Sequence, residues 1–110
     1  PWYVVAKDQA SNTLWVSQEA RHLLQRCLTA GPVHWIGPAP ALPVRCQAQL
    51  RHRQRAQACH VEPADSEQLR VTFIQPQRAA TPGQYVVFYH GDICLGGAAI
   101  QSVVDEAIAA

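Results

Sequence analysis

The sequence predicts an all-β fold, a small closed or nearly closed antiparallel β-barrel of about six to eight short strands, from three observations. Short β-branched and aromatic runs recur between polar or Gly/Pro-rich stretches roughly every ten residues, the spacing of strands and turns. Apolar and polar residues alternate with the period of a half-buried strand at Val44, Cys46, Ala48 and Leu50, and again at Leu69, Val71 and Phe73. Of the 110 residues, 48% are apolar and 15% charged, a balance that supports a packed core and argues against disorder. So many short strands would leave open edges in a flat sheet, and closure removes them.

Along the chain, residues 2–6 and 13–17 are β-rich runs around the polar segment 7–12 and form a first hairpin. Residues 19–26 have the composition for a helical turn or two. From Cys27 the chain returns to β character through Val33, His34, Trp35 and Ile36; Pro38, Pro40 and Pro43 then make 37–43 a stiff, extended surface loop. Residues 44–53 form a strand whose outer face carries Arg45, Gln47, Gln49 and Arg51. Residues 58–61 continue into an acidic turn at 62–67, and 69–73 returns as the other arm of a hairpin. Pro82-Gly83 suits the central positions of a type II turn, Pro presetting φ and Gly accepting a positive one. Residues 85–89 are aromatic and β-branched, and His90-Gly91-Asp92 leads tightly into Ile93-Cys94-Leu95, a last hairpin. Residues 102–110 alone have helical composition, at what reads as a frayed end.

A chain of this length is one domain, residues 1–110, too small to hold a nucleotide-driven enzyme together with an RNA platform. It contains no Met and opens directly on the strand-like Pro1-Trp2-Tyr3-Val4-Val5, as expected of a module cut from a longer protein. No apolar run approaches the roughly 20 residues of a bilayer span and no signal-peptide succession is visible, so a cytoplasmic location without membrane attachment is expected. Cys27, Cys46, Cys59 and Cys94 would permit two disulfides in an oxidising compartment. Their spacing lacks the CxxC pairs of structural zinc sites, and buried thiols acting as small hydrophobes are the plain reading.

The net charge of +1 conceals an uneven distribution. No acidic residue occurs between Glu19 and Glu62, while Arg21, Arg26, Arg45, Arg51, Arg53 and Arg55 all fall there with four of the five histidines. Within that interval Arg51-His52-Arg53-Gln54-Arg55 is the sharpest local feature. Guanidinium forks bind phosphate oxygens in pairs and an imidazole stacks on bases, so RNA contact is one reading. A solvated edge strand that uses charge against aggregation is the other. Catalytic patterns are poor: there is no GxSxG and no GxxxxGK[ST], and Cys59 and His60, adjacent in a strand, point to opposite faces. A thiol enzyme built on Cys94 is a weak alternative, because no cationic neighbour or helix start in the sequence would lower its pKa. Trp2, Trp15 and Trp35 lie in apolar strand contexts that favour packing over base stacking.

Residues 81–97, Thr-Pro-Gly-Gln-Tyr-Val-Val-Phe-Tyr-His-Gly-Asp-Ile-Cys-Leu-Gly-Gly, closely resemble the end of the C-terminal domain of the bacterial tRNA-specific 2-thiouridylases, a family once labelled tRNA methyltransferases. The resemblance extends from Trp2-Tyr3-Val4-Val5 and Lys7-Asp8 through His34-Trp35, Arg51-His52-Arg53-Gln54, Cys59 and Pro76-Gln77 to Cys94-Leu95-Gly96-Gly97, nearly the whole chain. It implies tRNA contacts at Arg51, His52 and Gln84, with His52 standing where the family usually has Tyr, and less specific attraction from Arg53 and Arg55. Two further departures are the family's Gly-rich, His-containing stretch, unmatched near 17–22, and Ala98 in place of a third Gly, which suggests a slightly different strand end.

The family's chemistry replaces the C2 oxygen of a wobble uridine by sulfur: ATP adenylates the base, and a persulfide, charged by a cysteine desulfurase or a sulfur-relay protein, delivers sulfur. The family's Ser-Gly-Gly-x-Asp-Ser nucleotide loop is absent here. The expectation is therefore a tRNA-binding domain with no catalytic residue, metal or cofactor of its own, in a tRNA-uridine 2-sulfurtransferase that uses ATP elsewhere. The rival expectation is a protein-interaction barrel that docks on the enzyme's other domains or on a sulfur carrier.

Overall fold

Strand formation follows the alternation of apolar and polar residues almost throughout. A computed structural model describes residues 3–8, 13–17, 24–78 and 80–105. Among the described residues nine strands run in sequence: β1 (Tyr3–Asp8), β2 (Thr13–Ser17), β3 (Leu24–Ala30), β4 (His34–Trp35), β5 (Val44–Gln49), β6 (Gln57–Pro63), β7 (Leu69–Arg78), β8 (Tyr85–His90) and β9 (Ile93–Asp105). β1 and β2 pair antiparallel as the expected hairpin, with β1 running on through Lys7 and Asp8.

Six strands close on themselves. The order β3-β7-β6-β5-β8-β9 is completed by a β3–β9 pairing, every contact antiparallel, and the short β4 adds to β9 from outside that circuit. The predicted all-β barrel is thus the fold, with no helix among the described residues. Alternate residues turn inward: Cys46 and Ala48 on β5, Cys59 and Val61 on β6, Leu69, Val71 and Phe73 on β7, Val86 and Phe88 on β8 are all buried. Trp35 packs on this core with its ring centroid 6.0 Å from that of Phe88. Trp2 and the side chain of Trp15 lie outside the described part.

Close approach of β4 to β9 depends on Gly96. Its φ is +152°, and a Cβ there would run into the His34 carbonyl oxygen and stand 2.9 Å from the Trp35 Cα.

Four readings of the sequence are corrected. Leu24, Gln25 and Arg26 are strand, not helix; residues 19–23 lie outside the described part. The stretch 102–105 is the end of β9, paired with β3 through Thr29↔Ser102 and Leu28↔Val103, with Thr29 Oγ1 and Ser102 Oγ 2.6 Å apart; 106–110 are not described. Here pairing between segments remote in sequence overrides local helical composition. Ala98 is no strand end but a fully buried residue within β9, opposite Val86. Finally, β5 stops at Gln49, so Arg51, His52 and Arg53 sit on a turn beyond it.

Candidate nucleic-acid interface

β5 and β8 are antiparallel neighbours, Gln47↔Tyr89, Ala48↔Phe88 and Gln49↔Val87. The turn that leaves β5 and the turn that enters β8 therefore meet at one end of the barrel. Arg51 and His52 come from the first and Gln84 from the second, and all three line one open groove of about 400 Å³. Leu50 and Val87 add apolar lining, and Gln49 and Tyr85 complete it. Among the described residues no carboxylate belongs to it. The volume falls within the range of sites that take one small ligand or one unit of a polymer.

Each turn has its own fixings. Leu50 is buried and ends the inward-facing row of β5. Beyond it, the Gln54 N–H donates to the Arg51 carbonyl at 3.1 Å and Arg53 takes a positive φ of 72°, which reverses the chain. The Gln54 side chain then ties the turn to the barrel: its Oε1 accepts from the Leu50 N–H at 2.9 Å, and its Nε2 donates to Oε1 of the buried Gln77 at 2.9 Å. Gln77 passes the chain on to the Gln75 carbonyl at 2.7 Å, and Gln49 Nε2 donates to the Gln54 carbonyl at 2.6 Å. A part-buried amide network in which each group is partnered restrains its members, so the cationic turn is held rather than loose.

The second turn is the predicted type II arrangement. Gly83 has φ +91° and the Gln84 N–H donates to the Thr81 carbonyl at 3.2 Å. Two bonds with β9 hold it, Gly83 N–H to the Ile100 carbonyl at 3.0 Å and Ile100 N–H to the Gln84 carbonyl at 2.7 Å. The Gln84 Oε1 accepts from the Thr81 N–H at 3.3 Å, which directs the side-chain NH₂ away from its own turn as a donor.

Arg51, His52 and Gln84 are exposed. Arg70 and Glu62 form an ion pair, 3.7 Å apart and half exposed on both sides; among the described residues none engages Arg51, Arg53 or Arg55. Arg53 and Arg55, named with Arg51 from the sequence, are exposed as well but do not line the groove. Sequence reasoning missed Tyr85 and Val87 as lining residues, although the alternation of β8, with Val86 and Phe88 inward, places both on its outer face. It also missed the Gln54–Gln77 network, for which no local signal exists.

The cysteines lie away from the groove lining. All four are free thiols; Cys46 and Cys59 are buried directly opposite one another, Sγ to Sγ 3.8 Å. Contact with Cys46, reinforced by burial, pushes the Cys59 thiol far above the usual range. Cys59 faces inward while His60 is half-buried on the other side of β6, so the two form no catalytic pair. Among the described residues no cluster of His, Cys, Asp or Glu could hold a metal, and no helix is long and apolar enough to cross a membrane.

Comparison with known proteins gives a family. The family model described as the aminomethyltransferase beta-barrel domain matches residues 25–100. The tRNA-specific 2-thiouridylase MnmA of Legionella pneumophila (strain Lens) is 50% identical over 107 residues, covering 94% of this chain and 30% of that protein. The protein of the same name from Stenotrophomonas maltophilia (strain K279a) is 50% identical over 103 residues, 91% of this chain and 27% of the relative. That from Methylococcus capsulatus is 49% identical over 105 residues, 91% and 28%. The chain spans less than a third of the length of these relatives.

Proposed function

From the premise that the chain belongs to the C-terminal β-barrel domain family of the tRNA-specific 2-thiouridylases, we propose that it is the tRNA-holding domain of a tRNA-uridine 2-sulfurtransferase. The observation that carries this is the convergence of Arg51, His52 and Gln84, brought from two distant turns into one groove with no carboxylate among its described lining residues. In that role the Arg51 fork grips a phosphate, unopposed by any ion pair among the described residues. The His52 ring stacks on a base or donates to a ribose oxygen. The free NH₂ of Gln84 donates to a backbone oxygen, and Arg53 and Arg55 add attraction without geometry.

Such a domain contributes position rather than chemistry. It fixes the tRNA so that a wobble uridine, drawn out of its stack, reaches a reaction centre elsewhere in the protein. There ATP activates the C2 oxygen and a persulfide, supplied by a cysteine desulfurase or a relay protein, replaces it with sulfur, in the cytoplasm. This chain's residues take no part in those bond changes.

The test is a titration of the chain with an unmodified tRNA bearing a wobble uridine, followed by amide NMR at low and moderate salt. Few phosphates are neutralised, so a Kd of roughly 10⁻⁴ M or weaker is expected at physiological salt. Shifts centred on Arg51, His52 and Gln84 that fade with salt support the proposal. Absence of shifts at low salt, with binding to a sulfur carrier instead, overturns it in favour of a protein-docking barrel.

A further inference from the structure

One large side chain in the groove has no part in the contacts assigned so far. Tyr85 opens β8 directly after Gln84 and is 55% exposed, while Val86 beside it is fully buried. Its position is fixed by a gap in the neighbouring strand. Gly97 on β9 is opposite Val87, one step diagonally from Tyr85, and a Cβ at Gly97 would lie 3.0 Å from Tyr85 Cε2 and 3.2 Å from Cδ2. The ring therefore lies across the glycine, with its Cδ2–Cε2 edge seated on bare backbone. Much of the residue is open to solvent, in the same groove as Arg51 and Val87.

An exposed aromatic ring with a restricted setting, lining one groove with a cation that no carboxylate engages among the described residues, has the make-up of a single-strand platform. Every base has a π-face, so stacking there is tolerant of sequence, while the cation holds the adjoining phosphate. We propose that Tyr85, braced by Gly97, is a stacking platform for an unpaired RNA base whose neighbouring phosphate is held by Arg51. The proposal rests on the RNA-holding reading above. The competing role for an aromatic ring over a strand glycine is to shield the backbone, which would affect stability without any dependence on bases.

The experiment compares two ligands at low salt: a short unstructured oligouridylate, and an oligomer of equal length that keeps the ribose phosphates but lacks bases. Tyr85→Leu is expected to weaken oligouridylate binding about ten-fold and leave the baseless ligand and the salt slope unchanged. Tyr85→Phe keeps the parent affinity, and the Tyr85 ring protons of the parent shift upfield on binding oligouridylate alone. Equal oligouridylate affinity of Tyr85→Leu and parent overturns the platform, as does an equal loss for both ligands. If Tyr85→Leu does not fold, the parent's ring shift decides, and its absence overturns the proposal. A Tyr85→Leu variant that binds normally while Arg51→Ala loses salt-dependent affinity removes the platform and leaves the RNA-holding reading standing. Failure of the parent to bind either ligand removes both.

Discussion

Arg51 and Gln84 show how two residues 33 apart in sequence come to line one groove, and how differently they can be read in advance. An arginine-rich turn announces itself by composition, so Arg51 and His52 are visible as candidates without any structure. Gln84 is an ordinary turn residue until β5 and β8 pair, and resemblance alone singles it out beforehand. Arg53 and Arg55 carry the same signal as Arg51, yet the reversal at Arg53 takes them out of the groove lining. Arg51→Ala in the protein that carries this domain is therefore expected to cost on the order of 1 to 3 kcal/mol of tRNA affinity and to lower the salt slope by somewhat under one unit. Arg55→Ala should do clearly less, and equal losses in filter-binding titrations at several salt concentrations would contradict the assignment. A second residue-scale prediction concerns Gly96. With φ +152° and the His34 carbonyl oxygen where a Cβ would go, Gly96→Ala strains the backbone and forces β4 off β9. A loss of more than about 1 kcal/mol in urea unfolding is expected, since a left-handed backbone and a steric conflict combine.

At the scale of elements, legibility tracks how local the cause is. β5 and the β8–β9 hairpin announce themselves through alternation and turn residues that sit next to one another in sequence. The end of β9 does not: 102–105 opens the stretch 102–110 that reads as helical by composition, and pairing with β3, more than 70 positions earlier, makes it a strand. The start of β3 fails for the same reason. The cationic turn is intermediate, because its residues are legible but its anchor is not. Gln54 completes the Arg51 turn with its backbone and bonds Leu50 and Gln77 with its side chain. Gln54→Leu would leave the Leu50 N–H and the buried Gln77 Oε1 without partners, at a cost of about 1 to 3 kcal/mol each if water cannot reach them. The expected outcome is faster amide exchange across residues 50–54 and weaker tRNA binding with Arg51 still present. Slow exchange together with parent-like affinity would show that the turn holds its shape without Gln54.

For the molecule as a whole, closure of the β3-β7-β6-β5-β8-β9 circuit gives the interior a single apolar environment in which ionisation is linked to global stability. Cys46 and Cys59 face each other there at 3.8 Å, each 2% exposed. Two thiolates so close and so dry cannot coexist, so the Cys59 proton is retained in the folded state, with its pKa raised by contact with Cys46 and by burial. In the unfolded chain that thiol ionises near pH 8.5. Below this value both states hold the proton and the stability contributed is constant. Above it the unfolded state binds fewer protons than the folded one, and unfolding becomes easier as pH rises, by up to about 1.4 kcal/mol per pH unit for one retained proton. A charge on Cys46, whose own pKa is lowered by the same contact, would act in the opposite sense and temper the slope. Chemical unfolding between pH 8 and 10 should therefore show a stability decline that is shallower in a Cys46→Ala/Cys59→Ala double variant than in the parent, because removing Cys59 alone leaves the Cys46 thiol buried and raised by desolvation. Parallel declines would mean that the barrel interior admits enough water for the Cys59 thiol to titrate as it does unfolded.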